Sequence, residues 1–168
     1  RGLTVRPEIQ LPIDVPAPSA NRSVITLSDG QNIYIDSVKA GVLAVQGNVS
    51  IRKNSDGSIE YVDNGHDGRL QYNTLTVPRG SQIASIILSD GSLVVVNVGP
   101  TMRYPVSYSR IKRVVAITGE AYIEVVKDIR RRFTVTGGGM ITEVLGTHFN
   151  INTYPDETGM KVTLLEGS

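Results

Sequence analysis

The feature that most constrains this chain is a phrase it writes twice. "ITLSDGQNIYID" occupies residues 25–36 and "IILSDGSLVVVN" residues 86–97. Ile25/Ile86, Leu27/Leu88, Ser28/Ser89, Asp29/Asp90 and Gly30/Gly91 are identical. Ile33/Val94, Ile35/Val96 and Asp36/Asn97 are close substitutes. Asp-Gly between two runs of branched aliphatics is a strong hairpin signal, because the turn needs a positive φ that Gly adopts freely and Asp tolerates. Each copy therefore predicts a β-hairpin. A calcium loop would need alternating Asp/Asn ligands, then Gly, then a distant Glu, and neither copy has them. Asp56-Gly57, between Val49–Arg52 and Ser58–Val62, predicts a third hairpin.

The rest of the chain continues in the same period. Val114, Ala116 and Thr118 alternate with Val115 and Ile117, and Thr118-Gly119 is a place to turn the chain or bulge a strand. Gly137–Gly139 reads as a loop between two strands, and "MKVTLLEGS" as a strand with no turn after it. Leu93–Val96 is apolar on both faces, the pattern of a central strand covered on two sides. Helical periodicity is absent; its best window, Asp36 to Val45, carries β-branched residues and Gly41. The expected class is all-β: a jelly-roll-like β-sandwich of many short antiparallel strands. A β-solenoid-like stack is the alternative, since the strands are short and the turns regular. Residues 1–20 form a Pro-rich extended segment. Its Ile9, Leu11, Ile13 and Val15 alternate among Pro7, Pro12, Pro16 and Pro18, so part of it is expected to dock. An N-terminal β lobe over 21–70 follows, with turn chemistry in "NGHDGR" (64–69). A second β domain, 71–168, is expected to be continuous with the lobe.

Bulk properties remove whole function classes. Net charge is +1, from 17 basic and 16 acidic residues, which leaves no electrostatic footprint for nucleic acid or an anionic membrane surface. Cysteine is absent, which excludes disulfides, thiol catalysis and thiolate metal sites. Aromatics are only 5%, with no Trp, so an aliphatic core is expected. No apolar run reaches the roughly 20 residues of a membrane helix, and no signal peptide is present. An anchor, if the protein has one, is expected outside this stretch.

Candidate sites are few. His148 shares a strand face with Asn150, while Phe149 and Ile151 take the other; no nucleophile elbow accompanies it. His66 lies in a turn. Two histidines this far apart, without Cys, make no zinc site. The glycine run lacks the Gly-Lys-Ser/Thr ending of a phosphate loop. Glu120 and Glu124 are near neighbours but carry no glycosidase motif. No residue qualifies as catalytic, and no metal or cofactor is expected. Two basic clusters, Arg110, Lys112, Arg113 and Arg130, Arg131, Arg132, are candidate partner contacts. The last strand, with Lys161, Thr163 and Leu165, is a candidate edge for strand addition. Asp29, Gly30, Pro78, Gly80, Asp90, Gly91, Gly119 and Gly146 are expected to set turns. A glycan-binding module is the alternative function. It would need a groove lined by several of Tyr34, Tyr61, Tyr72, Tyr104, Tyr108, Tyr122 and Tyr154.

Residues 72–168 resemble a known family. Pro78-Arg79-Gly80, Leu88-Ser89-Asp90-Gly91, Arg103-Tyr104-Pro105, Gly119-Glu120-Ala121-Tyr122, Leu145-Gly146-Thr147-His148-Phe149-Asn150 and Leu165-Glu166-Gly167-Ser168 together are similar to the periplasmic domain of FecR-type anti-sigma regulators of the Bacteroidetes kind. The resemblance implies a non-enzymatic, periplasmic sensor domain of a single-pass inner-membrane protein. Its partners would be the N-terminal signalling domain of a TonB-dependent outer-membrane transducer and, through a cytoplasmic segment, an extracytoplasmic-function sigma factor. The membrane helix and a C-terminal signalling domain would lie outside this stretch.

Overall fold

The computed structural model describes residues 22–65, 70–108, 112–144, 146–153 and 160–165. The Pro-rich segment, most of "NGHDGR" with His66, Arg110, Tyr154 and Glu166–Ser168 lie outside the described residues. The side chains of Lys112 and Lys161 do too.

All described elements are strands. In chain order they are β1 (Val24–Thr26), β2 (Asn32–Tyr34), β3 (Gly41–Gln46), β4 (Val49–Lys53), β5 (Ile59–Asp63), β6 (Tyr72–Val77), β7 (Ala84–Ile87), β8 (Leu93–Pro105), β9 (Lys112–Glu124), β10 (Arg132–Gly137), β11 (Met140–Val144), β12 (His148–Thr153) and β13 (Met160–Leu164). The all-β expectation holds.

The three hairpins also form, and all three loops read Ser-Asp-Gly. The turn is wider than the two-residue Asp-Gly reversal that the sequence suggests. Leu27 N–H donates to Gln31 O and Gly30 N–H to Leu27 O; Leu88 with Ser92 and Gly91, and Asn54 with Ser58 and Gly57, repeat the pattern. The Asp carboxylate then accepts the N–H two residues on, in Gln31, Ser58 and Ser92, each at 2.9 Å. The glycines sit at φ of 93°, 93° and 90°. One positive-φ residue and one Asx bond close each loop.

Two strands organise everything else. β8 and β9 run to 13 residues each and pair antiparallel from Leu93↔Glu124 to Arg103↔Ala116. Each changes its second partner midway. β8 takes β7 along Leu93–Val96 and β6 from Gly99 to Pro105. β9 takes β10 along Lys112–Ala116 and β12 along Gly119–Glu124. Register shifts between Val96 and Thr101 mark the bend in β8. In β9 the bend falls at Gly119, with φ of 117°. There the buried Thr153 hydroxyl accepts the Gly119 N–H and donates to Ile117 O, both at 2.9 Å. Thr118-Gly119 bends the strand rather than turning the chain.

The result is one continuous sheet folded into two layers. One layer is β2-β1-β6-β8-β9-β10-β11, and the other is β3-β4-β5-β7-β8-β9-β12-β13. Their inner faces share a single core. The two halves of the sequence are hydrogen-bonded into it through β1–β6 and β5–β7.

Two features differ from expectation. β5–β7 and β9–β10 are parallel pairs. The first arises because β6 crosses to the other layer between them. The core is also not purely aliphatic, since Tyr61, Tyr104, Tyr108, Phe133 and Phe149 are buried in it. The Tyr61 and Tyr104 hydroxyls are satisfied by bonding, whereas that of Tyr108 is buried without a hydrogen-bond partner among the described residues. Tyr61 and Tyr104 oxygens lie 2.5 Å apart, and Asn73 donates to Tyr61 at 2.9 Å. Asn73 and Gln46 then exchange amide hydrogen bonds at 2.8 and 2.9 Å, tying β6 to β3 across the layers.

Candidate functional site

The basic clusters do not form one surface. Arg113 is a correction: it is completely buried. Strand parity explains this, because Arg113 shares its face with Val115 and Ile117, both core residues. Its Nη1 donates to Asp90 Oδ2 at 2.7 Å and to Val126 O at 2.8 Å. Its Nε and Nη2 donate to Arg131 O at 3.1 and 2.8 Å. The guanidinium carbon stands 5.4 Å from the Phe133 ring centre. Asp90 is held in turn by the Ser92 hydroxyl at 2.9 Å, and that same hydroxyl accepts the Val126 N–H at 3.0 Å. The Arg113–Asp90 pair is nearly solvent-free, with side chains 0% and 2% exposed.

This knot has a topological purpose. Parallel neighbours usually need a long crossover, yet residues 125–131 alone join β9 to β10. The bend in β9 brings its end back towards its start. Arg113 then clamps both ends of the connection, Val126 and Arg131. Tyr108 packs on Phe133 with ring centres 6.3 Å apart. Burial, reinforced by the Asp90 charge, pushes its hydroxyl well above the usual tyrosine range.

The side chains of the other described arginines point away from the knot, although Arg131 lends it a backbone carbonyl. Arg131 pairs with Asp128 at 2.8 Å, and that hydrogen bond holds the Asp128 carboxyl below its ordinary range. Arg130 is exposed. Arg132 is exposed and reaches Glu143 on β11 at 3.2 Å. Arg130 and Arg132 are therefore the members of the clusters that remain on the described surface.

The structure brings together residues that were read separately. Even-numbered positions of β9 and β12 face outward in register, with Asn150 opposite Tyr122 and Asn152 opposite Glu120. Asn150 also faces Thr163 on β13. With Val95 and Asn97 of β8, these side chains line a shallow cavity of about 430 Å³. Val95 is thus half-exposed, not covered on both sides as the apolar run suggested. Tyr122 donates to Glu124 at 2.8 Å, and the His148 ring meets the Tyr122 ring edge-on at 6.4 Å. Asn152 Oδ1 is buried without a hydrogen-bond partner among the described residues. The outward members of "GEAYIE" and "HFNIN" make this face, while Ala121, Ile123, Phe149 and Ile151 enter the core. Period-two alternation contained that information, but it does not say which strands become neighbours.

The face carries amides, a phenol, carboxylates and a hydroxyl. What it offers a ligand is hydrogen bonding. Four residues along a strand separate Glu120 from Glu124 by about 13 Å, beyond the roughly 5–9.5 Å of paired glycosidase carboxylates. Among the described residues, no group of His, Asp and Glu could hold a metal. The tyrosine-lined groove is also not seen among them. Tyr61, Tyr104 and Tyr108 are buried, and Tyr34 and Tyr72 lie under Arg22 and Arg103, with guanidinium-to-ring distances of 4.3 and 4.1 Å. Of the described tyrosines, Tyr122 alone lines this cavity.

β13 bounds the face. Its one partner is β12, and Leu165 N–H extends that pairing to His148 O at 3.1 Å. β2, β3 and β11 are likewise single-partnered among the described residues. Of the turn residues, Gly80 has φ of 85° in a turn closed by Ser81 N–H to Pro78 O at 3.1 Å. A Cβ on Gly146 would stand 2.6 Å from Lys127 Cα, so that glycine permits a close backbone approach.

The described residues thus form an all-β body of two layers with a shallow polar face. The family comparison specifies it: residues 73–168 match the family described as FecR protein, and the chain belongs to that family of anti-sigma regulators. Two crystal structures of a candidate anti-sigma factor from Parabacteroides distasonis, at 2.50 and 1.65 Å, are similar to it at 28% and 29% identity. They cover 57% and 56% of this chain and 49% and 48% of theirs, with TM-scores of 0.48 and 0.47. The chain thus spans about half the length of those solved chains. No curated protein matches it.

Proposed function

We propose that this chain is the periplasmic sensor portion of a membrane anti-sigma regulator. It would receive a signal from the N-terminal signalling domain of a TonB-dependent outer-membrane transducer. It would pass that signal, through a cytoplasmic segment, to an extracytoplasmic-function sigma factor. Membership of the FecR family carries the reading. The contact we assign is the β13 edge with the adjoining Tyr122–Asn150–Thr163 row. An edge strand offers backbone groups to an incoming strand, and alternate side chains beside it supply selectivity.

The test is binding of the full chain to the N-terminal signalling domain of a TonB-dependent transducer from the same genome. Asn150→Asp with Thr163→Asp is expected to weaken binding at least about tenfold, equivalent to about 1.4 kcal/mol. Equal affinity for parent and variant would remove this surface, and no binding by the parent would remove the relay itself. The same cavity, with its amides and unpartnered Asn152 Oδ1, supports a second reading as a direct glycan site. Saturable heat with a neutral oligosaccharide, abolished by Asn152→Ala, would favour it; flat titrations dismiss it.

A further inference from the structure

A second recess adjoins the first along β8, where Leu93 lines the one and Val95, two residues on, lines the other. It is a groove of about 460 Å³ where the two layers part, between the end of β2, the Ser55-Asp56-Gly57 turn and the start of β7. Ile35, Ile83, Ala84, Ile87 and Leu93 supply its apolar lining. Ile83 is 58% exposed, a large apolar side chain standing open at the mouth. β5 meets β7 only at Ile59↔Ile86 and Glu60↔Ile87, so Ala84 and Ser85 have no β5 residue beside them. On their other side they pair with β8. The free side of β7 opens into the groove.

We propose that the occupant is the chain's own N-terminal arm, residues 9–18, laid in as an extra, terminal strand. Three observations converge on it. First, the arm is rooted there. Ser23 lines the groove, donating to Gln82 O at 3.2 Å, and Arg22 pairs with Asp36 on the groove wall at 3.6 Å. Second, the arm reaches: the eight steps from Val15 to Ser23 span up to roughly 26 Å at about 3.3 Å per residue.

Third, its sequence suits an end strand. In an extended chain, alternate residues share a face and also a lateral edge. Ile9, Leu11, Ile13 and Val15 therefore present apolar side chains on one face and their N–H groups on one edge. The opposite edge carries Pro12, Pro16 and Pro18, which have no N–H to offer. Such a strand pairs on one side and blocks addition on the other, the arrangement by which natural sheets protect their edges. The inference does not depend on the transducer relay and goes beyond it.

The absence of cysteine makes the test clean. In the full chain, Val15→Cys with Ile83→Cys is compared with Val15→Cys and Val42→Cys; Val42 is exposed on the edge strand β3, three strands from β7 in the sheet order and outside the groove lining. With oxidised glutathione as oxidant, the groove pair is expected to close an intramolecular disulfide at least about tenfold faster than the control, because docking raises effective concentration. Equal rates, or disulfide-linked dimers showing a second copy's arm in the groove, overturn the proposal. Amide exchange gives an independent readout. Ile13→Asp with Val15→Asp should accelerate exchange at Ala84 or Ser85, one of which points into the groove, at least about tenfold. Unchanged exchange at both also overturns it.

Discussion

Arg113 is the residue whose replacement tests the architecture most directly. Arg113→Met keeps the apolar stem and removes the guanidinium. Asp90 then loses its countercharge in a space that water does not reach, and Val126 O and Arg131 O lose their donors. Breaking a buried pair by deleting one partner costs about 3–5 kcal/mol. That is a large share of the roughly 5–15 kcal/mol that holds a domain together. At about 2–4 °C per kcal/mol for a chain of this size, the midpoint should fall by roughly 10 °C. Arg113→Lys should lie between, since one ammonium cannot reproduce a fork that serves Asp90 and Arg131 O together. Adding Asp90→Asn to Arg113→Met removes the stranded charge and keeps an acceptor for the Ser92 N–H. The double variant should be less damaged than the two single losses summed, by about 1–2 kcal/mol of coupling. Urea unfolding followed by circular dichroism at fixed pH measures the parent, Arg113→Met, Asp90→Asn, their double variant and Arg113→Lys. A loss under about 1 kcal/mol for Arg113→Met, or strict additivity in the cycle, would refute the account of the knot as the clamp on residues 125–131.

Two further predictions use other parts of the core. Gly137→Ala would place its Cβ 2.3 Å from Ile117 O and 3.1 Å from Thr153 Cγ2, so backbone must move where β9 bends; a destabilisation of about 1–3 kcal/mol is expected, and unchanged denaturation midpoints would contradict it. Burial pushes the Tyr61 hydroxyl up to about 12, and Tyr104 and Tyr108 well above their ordinary value. A folded pKa above the unfolded value of about 10 means the fold holds the neutral phenol: the contribution is intact below about pH 10 and is lost as pH rises through about 12. Tyrosinate absorbance from these three residues should therefore rise together with loss of the circular dichroism signal, and ionisation of all tyrosines in a folded protein would contradict it.

The sequence carried the strand content because aliphatic alternation and Ser-Asp-Gly loops are local signals. The loop read at Gly137–Gly139, which turns at Gly138-Gly139 after Gly137 closes β10, and the shared face of Phe149 and Ile151 were legible for the same reason. Arg113 was not, since a basic residue in a basic run reads as solvated until its parity is set beside Val115 and Ile117. Its partner Asp90 looked like a turn former, which it also is, and the second role depends on a contact 23 residues away. The parallel pairings were hidden as well, because they depend on where β8 and β9 bend. The outward face of β9, β12 and β13 was present in the sequence as three separate alternations. Assembling it required pairings between segments that local pattern does not connect.

The long strands β8 and β9 belong to both layers, and this has a mechanical consequence. A covalent backbone, not an interface, joins the two sides, so neither layer can peel away while the other stays intact. Tension applied at one margin is carried along continuous peptide through the kinks near Val98 and Gly119 to the opposite margin. A body wired this way yields as a unit.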